Sequence, residues 1–302
     1  AFAMLRKNKE KNHIITTKIE HKCVLNSCKY LENFGFKVDY LNVDEYGFVN
    51  INELEEKINK NTFLVSVIHG NNEIGTVQNI EEIGKICKDH NVYFHIDACQ
   101  SFTKEEIDVK KQNLDLVTIN AHKIYGPKGV GALYIKEGVE IDPLLHGGGH
   151  ERNFRSGTEN IPGIVGFAKA VEIMTKEKVE YMRNLRDYFI KRVIEEIPKT
   201  KLNGHPIKRL CNNAHFTFKN IEGESALMLL DMQGISVSTA SACASHSLEI
   251  SHVLKAIGLS PEDAHGSLRF SIGIYNTKEE IDYTVENLKK IVKRLRDLSP
   301  FK

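Results

Sequence analysis

From residue 13 onward, short runs of β-branched and aromatic residues trade places with longer stretches whose apolar residues recur every three or four positions. The runs 13–20 (HIITTKIE), 37–43 (KVDYLNV), 62–70 (TFLVSVIHG), 92–98 (VYFHIDA), 114–120 (LDLVTIN) and 129–135 (GVGALYI) predict strands. Between the earlier of them, 22–35, 51–60 and 79–90 predict helices. Strands that stay apolar on both faces, joined by helices, belong to a mostly parallel sheet covered on both sides, so the fold class is α/β.

The pattern changes after the glycine-rich stretch HGGGHERNFRSGTENIPG (146–163), which is unsuited to a helix. A long helical pattern runs from about residue 164 through Glu196 and predicts a connection between two domains. Beyond it, AHFTFKN, SALMLLDMQG, ISVSTASAC, ISHVLKAIG, LRFSIG and the 277–298 stretch alternate strand and helix over short distances, the signature of a small α+β domain. The expected organisation is a large domain over 1–163, a connecting helix over 164–199 and a small C-terminal domain over 200–302.

Composition narrows the partners. Forty-one Lys+Arg against 40 Asp+Glu leave no charge excess to favour nucleic acid or an anionic membrane surface. The longest apolar runs are too short to span a bilayer. Six cysteines without a CxxC pair argue against a disulfide framework or a structural zinc site, and fit a reducing cytoplasm. No metal site is expected.

In α/β sheets ligands bind beyond the carboxyl ends of the strands. Three polar clusters fall at such ends, HGNNE (69–73), DACQS (97–101) and NAHK (120–123), and are expected to converge. A lysine that forms a Schiff base needs partial desolvation to keep some free amine at neutral pH, and Lys123, between His122 and Ile124, is placed for it. A carboxylate such as Asp97 on a neighbouring strand suits a protonated pyridine nitrogen, and Asn72 and Gln100 are amides able to bond a ring hydroxyl. Taken singly, an aspartate after a strand is more often a cap and a lysine beside GPKG more often a solvated charge.

Four ordered motifs, HIDACQS, NAHKIYGPKGVGALY, HGGGHERNFRSGTEN and SACASHSLEISHVLKAIG with GSLRFSIG, resemble the cysteine desulfurases, pyridoxal-phosphate enzymes of the class V aminotransferase superfamily. The SACASHSLE stretch is similar to the iron–sulfur-cluster-assembly type. The resemblance implies the fold-type I architecture, a pyridoxal 5'-phosphate carried on Lys123, and Asp97 paired with its pyridine nitrogen. It further implies Gln100 and Asn72 at the ring oxygen, with Asn72 also near substrate, and His21 stacked on the ring. His122 and Asn120 would lie near the phosphate, Thr158 would reach the phosphate in the neighbouring subunit of a homodimer, and Arg269 would take the substrate carboxylate. Cys243, in a run of small residues, would accept sulfur from L-cysteine as a persulfide and pass it to an acceptor protein, such as an iron–sulfur scaffold or a tRNA-thiolation relay.

Departures from the family pattern are few. The chain shows neither the DNAATT-like opening nor the GATESNN-like phosphate turn, and reads as starting just after that segment. Asn120 stands where serine or threonine is usual, Cys99 interrupts the DACQ motif, and Cys23 follows His21 by two. HGGGH without a GxSxG elbow does not make a lipase-like hydrolase, and without HExxH does not make a zinc site. Two other readings stay open: a selenocysteine lyase or other lyase sharing Lys123 and Asp97 without need of Cys243, and a non-catalytic scaffold that keeps the fold but holds cofactor poorly.

Overall fold

A computed structural model describes residues 11–239 and 250–299, which form two compact units. The first takes the chain up to Asn42, then Val49–Gly70 and Gln78–Thr175; the second takes Val43–Phe48, Asn71–Val77 and the chain from Lys176 onward.

The first unit is built on a six-stranded sheet of β1 (His13–Thr17), β2 (Lys37–Leu41), β3 (Thr62–Ile68), β4 (Tyr93–Asp97), β5 (Leu116–Asn120) and β6 (Gly131–Ile135), in the order β2-β1-β3-β4-β5-β6. Helices α1 (Lys22–Glu32), α2 (Ile51–Lys57) and α3 (Ile80–Asp89) follow β1, β2 and β3. The apolar runs mark the central strands well: every residue of β1 and β3 is buried. Parallel pairing holds from β2 through β5, whereas β6 runs antiparallel to β5. The reason is connection length. Only the residues between Asn120 and Gly131 join these two strands, too few for the crossover a parallel neighbour needs.

The single connecting helix expected from residue 164 is replaced by two, α4 (Ile161–Ile173) and α5 (Lys176–Glu196). Asn160 caps α4 by accepting from Gly163 N, and Pro162 sits in the first turn, so this helix begins inside the glycine-rich stretch. It ends where Met174 leaves helical geometry (φ −81°, ψ 78°).

The second unit has an antiparallel sheet of β7 (Thr200–Leu202), β8 (Asn213–Phe218), β9 (Ser238–Thr239) and β10 (Ser267–Ser271), in the order β7-β8-β10-β9. Its helices are α5, α6 (Gly223–Asp231), α7 (His252–Ala256), α8 (Pro261–His265) and α9 (Lys278–Leu298), the last opened by a Thr277/Glu280 capping box. Period-two patterning sorts the sheet's faces. Ala214, Phe216, Phe218, Leu268 and Phe270 pack on Phe189 of α5, Leu230 of α6 and Val285 and Leu288 of α9. The alternate residues Asn213, His215, Thr217, Ser267 and Arg269 make a polar face, which binds the 71–77 segment: Arg269 Nη1 donates to Asn72 O at 2.8 Å, Asn213 Nδ2 to Glu73 O at 2.9 Å and Arg209 Nη2 to Ile74 O at 3.2 Å. No helix among the described residues is long and apolar enough to cross a membrane.

Candidate active site

Parallel neighbours β3, β4 and β5 deliver their carboxyl ends side by side, and backbone bonds stitch those ends together. His69 N donates to Asp97 O at 2.9 Å, and Ala98 N to Thr118 O at 2.9 Å. The clusters at His69, Asp97 and Asn120 therefore meet within the first unit, as the strand-end rule predicts. The rest of HGNNE, from Asn71 onward, belongs to the second unit.

Asp97 is buried at the end of β4, and its Oδ1 accepts from Cys99 N at 2.9 Å. Among the described residues no basic side chain forms an ion pair with it. Its charge is felt instead by two thiols: burial and then Asp97 push Cys23 up, and the same two causes in the same order push Cys99 up. A buried carboxylate lacking a cation costs several kcal/mol unless it is neutralised, so this donor set fits a protonated ring nitrogen.

His21 is the N-cap of α1, an unusual choice for that position. Its Nδ1 accepts from Cys23 N at 3.2 Å and lies 3.0 Å from Cys23 Sγ, which leaves the imidazole exposed and its other nitrogen unengaged by the cap. Gln100 is half-buried, with its backbone carbonyl taking Lys104 Nζ at 3.0 Å.

Lys123 sits on one turn of 3-10 helix, His122–Ile124. Asn120 Oδ1 accepts from Lys123 N at 3.3 Å, and Ala121 O accepts from both Ile124 N and Gly126 N. Ile124 is buried, while Tyr125 turns the chain out of the helix in the left-handed region at φ 68°. For a bulky residue that conformation costs roughly 1–2 kcal/mol. Gly126 must be glycine for packing: a Cβ there would lie 2.9 Å from the Ala121 Cβ and 3.0 Å from its carbonyl oxygen. Partial desolvation of Lys123 was the sequence expectation; in the structure its side chain is exposed, because the anchor residue of the turn is Ile124 and not the lysine. His122 is exposed too, and its pKa is lowered by desolvation and then by Lys123 and Lys128.

Thr158 is exposed on a glycine-rich loop closed on itself, with Ser156 Oγ donating to Gly148 O at 2.7 Å and Ser156 N to Leu145 O at 3.2 Å.

The second unit holds Asn72 and Arg269. Besides its bond to Asn72 O, Arg269 donates from Nη2 to Ser238 Oγ at 3.3 Å, while its buried Nε and the buried Asn72 Oδ1 have no hydrogen-bond partner among the described residues. Ser238, the β9 residue paired with Arg269, carries no sequence signal; only the strand pairing reveals it. Glu73, part of the HGNNE cluster but given no role by the sequence, accepts from Ser251 Oγ, the N-cap of α7. Cys243 lies outside the described residues.

The aminotransferase class-V family matches residues 1–284 of the chain. The cysteine desulfurase IscS of Dictyoglomus turgidum is 50% identical over 305 residues, spanning 100% of this chain and 77% of that protein. The cysteine desulfurase IscS of Clostridium botulinum strain Hall is 54% identical over 299 residues, spanning 97% of this chain and 75% of that one. Among solved structures, a NifS-like protein superposes with a TM-score of 0.88 at 40% identity, over 96% of this chain and 77% of the other.

Proposed function

From the premise that this chain belongs to the aminotransferase class-V family, and within it to the cysteine desulfurases, we propose that it takes sulfur from L-cysteine with pyridoxal 5'-phosphate on Lys123 and a persulfide on Cys243. The observation that carries the cofactor assignment is Asp97, a buried carboxylate with no cation paired to it among the described residues, on the strand next to β5, which leads into the Lys123 turn.

When bound, pyridoxal phosphate draws an electron pair from the substrate's α-carbon, provided its ring nitrogen keeps a proton. Asp97 would hold that proton in place. Lys123 Nζ would be the amine that holds the aldehyde and would move protons at the substrate carbon. His21 would lie on the ring with its uncapped nitrogen turned outward, Gln100 and Asn72 would bond the ring oxygen, and His122 and Asn120 would sit by the phosphate. Arg269 would take the substrate carboxylate; its unpartnered Nε and the planar fork suit a two-point contact. Replacing the fork with a single ammonium, Arg269→Lys, is expected to raise KM for cysteine about 10- to 100-fold with a smaller change in kcat, a loss matching one charge-assisted hydrogen bond. Equal loss in both parameters at saturating cysteine would place Arg269 elsewhere in the mechanism.

A homodimer, with Thr158 reaching the other subunit's phosphate, is supported by the exposed apolar residues that flank Thr158 in sequence: Leu144 at 82% exposure, Leu145, Ile161, Ile164 and Val165 at 62%. The sulfur acceptor would be a protein of iron–sulfur assembly or tRNA thiolation. A reducing, cytoplasmic setting suits a chain of six cysteines without a CxxC pair.

The deciding experiment adds pyridoxal phosphate, L-cysteine and a reducing thiol, and quantifies products. Alanine and sulfide in equal amounts are expected. Pyruvate and ammonia in place of alanine would identify a β-eliminating lyase, and a chain that binds no cofactor would be the scaffold.

A further inference from the structure

Glu20 is fully buried, directly ahead of His21, in a region of the first unit where a carboxyl group has no evident business. Its Oε1 accepts from Ile68 N at 2.7 Å and from Thr17 Oγ1 at 2.7 Å. Thr17 is the last residue of β1 and Ile68 the last of β3. Ile68 is in turn the register partner of Asp97, and the next residue, His69, donates its N–H to Asp97 O. One side chain thus joins the turn that presents His21 to the end of β3, the strand paired with the one that carries Asp97.

We propose that Glu20 is a positioning residue for both His21 and Asp97, clamping the β1–α1 turn to the end of β3. The proposal deepens the desulfurase reading and rests on it for the roles of His21 and Asp97. The bond to Ile68 N has a particular logic: a parallel strand end leaves an N–H that the sheet does not use, and Glu20 satisfies it.

The clamp works with the carboxyl neutral. Burial pushes the Glu20 pKa up to about 8, the bonds from Thr17 and Ile68 only partly opposing it. Asp97 on β4 acts on it in the same direction as burial, and Glu20 in turn acts on Cys23 and Cys28 of α1. A proton lost from Glu20 therefore adds a second negative charge near Asp97. Folding stability follows the same sign. With the folded pKa above the unfolded one, the native state holds a proton the unfolded chain has released, so stability falls as pH rises from the carboxylate range to about 8 and is flat above it.

The test compares wild type, Glu20→Gln and Glu20→Asp. Glutamine keeps an acceptor oxygen and is always neutral; aspartate keeps the acid but is one methylene too short to reach both donors. In the cofactor-free chain, the Glu20 carboxyl carbon and the Ile68 amide nitrogen are expected to titrate together by NMR near pH 8, and the Ile68 titration to vanish in Glu20→Gln. With cofactor and cysteine, Glu20→Gln is expected to retain kcat within about twofold at neutral pH and to lose the wild type's alkaline decline. Glu20→Asp is expected to lose at least about tenfold in kcat. Glu20→Asp with a lowered Tm but unchanged kcat would make Glu20 merely structural and overturn the proposal, as would an Ile68 amide indifferent to pH. A wild type that shows the paired NMR titration yet releases no sulfide would instead fail the desulfurase reading and leave the clamp standing.

Discussion

Lys123→Ala is expected to bind pyridoxal phosphate without the visible absorbance band of the wild type and to form alanine from cysteine about 10⁴-fold more slowly, the upper range for removal of one positioned proton-transfer group. The fold should not notice the change. Lys123 is exposed, and the turn that carries it is held by groups the substitution leaves alone: Asn120 Oδ1 on the Lys123 backbone N–H, the doubly accepting Ala121 carbonyl and the buried Ile124. Stability should therefore stay within about 0.5 kcal/mol of wild type, as for surface substitutions generally. Loss of the band with an unchanged thermal transition isolates the chemistry of Nζ from folding. A band that survives in Lys123→Ala would mean another amine takes the aldehyde. The lysine to try next is Lys104, whose Nζ already lies 3.0 Å from Gln100 O. The left-handed Tyr125 then becomes a feature of the turn with no catalytic lysine to present, and the site would have to be rebuilt around the DACQS segment.

How much of this could be read from the residues varies with the physics involved. Continuous apolar runs located β1, β3, β4 and β5 because burial on both faces leaves a plain compositional mark, and strand ends then placed His69, Asp97 and Asn120 together. Composition could not give the direction of β6, which follows from connection length, nor the break between α4 and α5, which is one residue's backbone geometry at Met174. A strand as short as β7 carries no periodicity to find, whereas β9 lies inside the ISVSTASAC run already read as strand or loop. The passage of Val43–Phe48 and Asn71–Val77 into the second unit is a tertiary fact: the polar face of β8 and β10 takes up the 71–77 backbone through Arg209, Asn213 and Arg269, residues far away in sequence. The same applies to Glu20, which looks like a solvated turn residue between Ile19 and His21 and is fully buried. Lys123 shows the opposite error. Apolar neighbours in sequence suggested desolvation, but in a tight turn the neighbour that packs inward turns the lysine outward.

Cys243→Ser is expected to keep the absorbance band and its response to cysteine while abolishing sulfide release and persulfide formation, a loss on the order of 10⁴-fold or more. In the proposed reaction the Cys243 thiolate would attack the sulfur of bound cysteine. The S–S bond would form as the Cβ–S bond breaks, with the electron pair leaving on Cβ and a proton taken up there to complete alanine. Serine cannot form that bond. The described cysteines give Cys243 little competition. Cys28 and Cys87 are buried on α1 and α3, their thiols pushed up to about 11 and about 12 by burial. Cys211 is buried, and Cys99 is pushed up by burial and by Asp97. Cys23 is exposed, but burial of its sulfur and the Asp97 charge push it the same way, so it stays a thiol beside His21. A nucleophile must be a thiolate at working pH, and the four shifted thiols are all held away from that state. Sulfide that persists in Cys243→Ser with alanine as co-product would move the persulfide to another cysteine, with the exposed Cys23 first in line. Sulfide that persists with pyruvate would show that the carbon–sulfur bond breaks by elimination, which uses Lys123 and Asp97 and asks nothing of a second thiol.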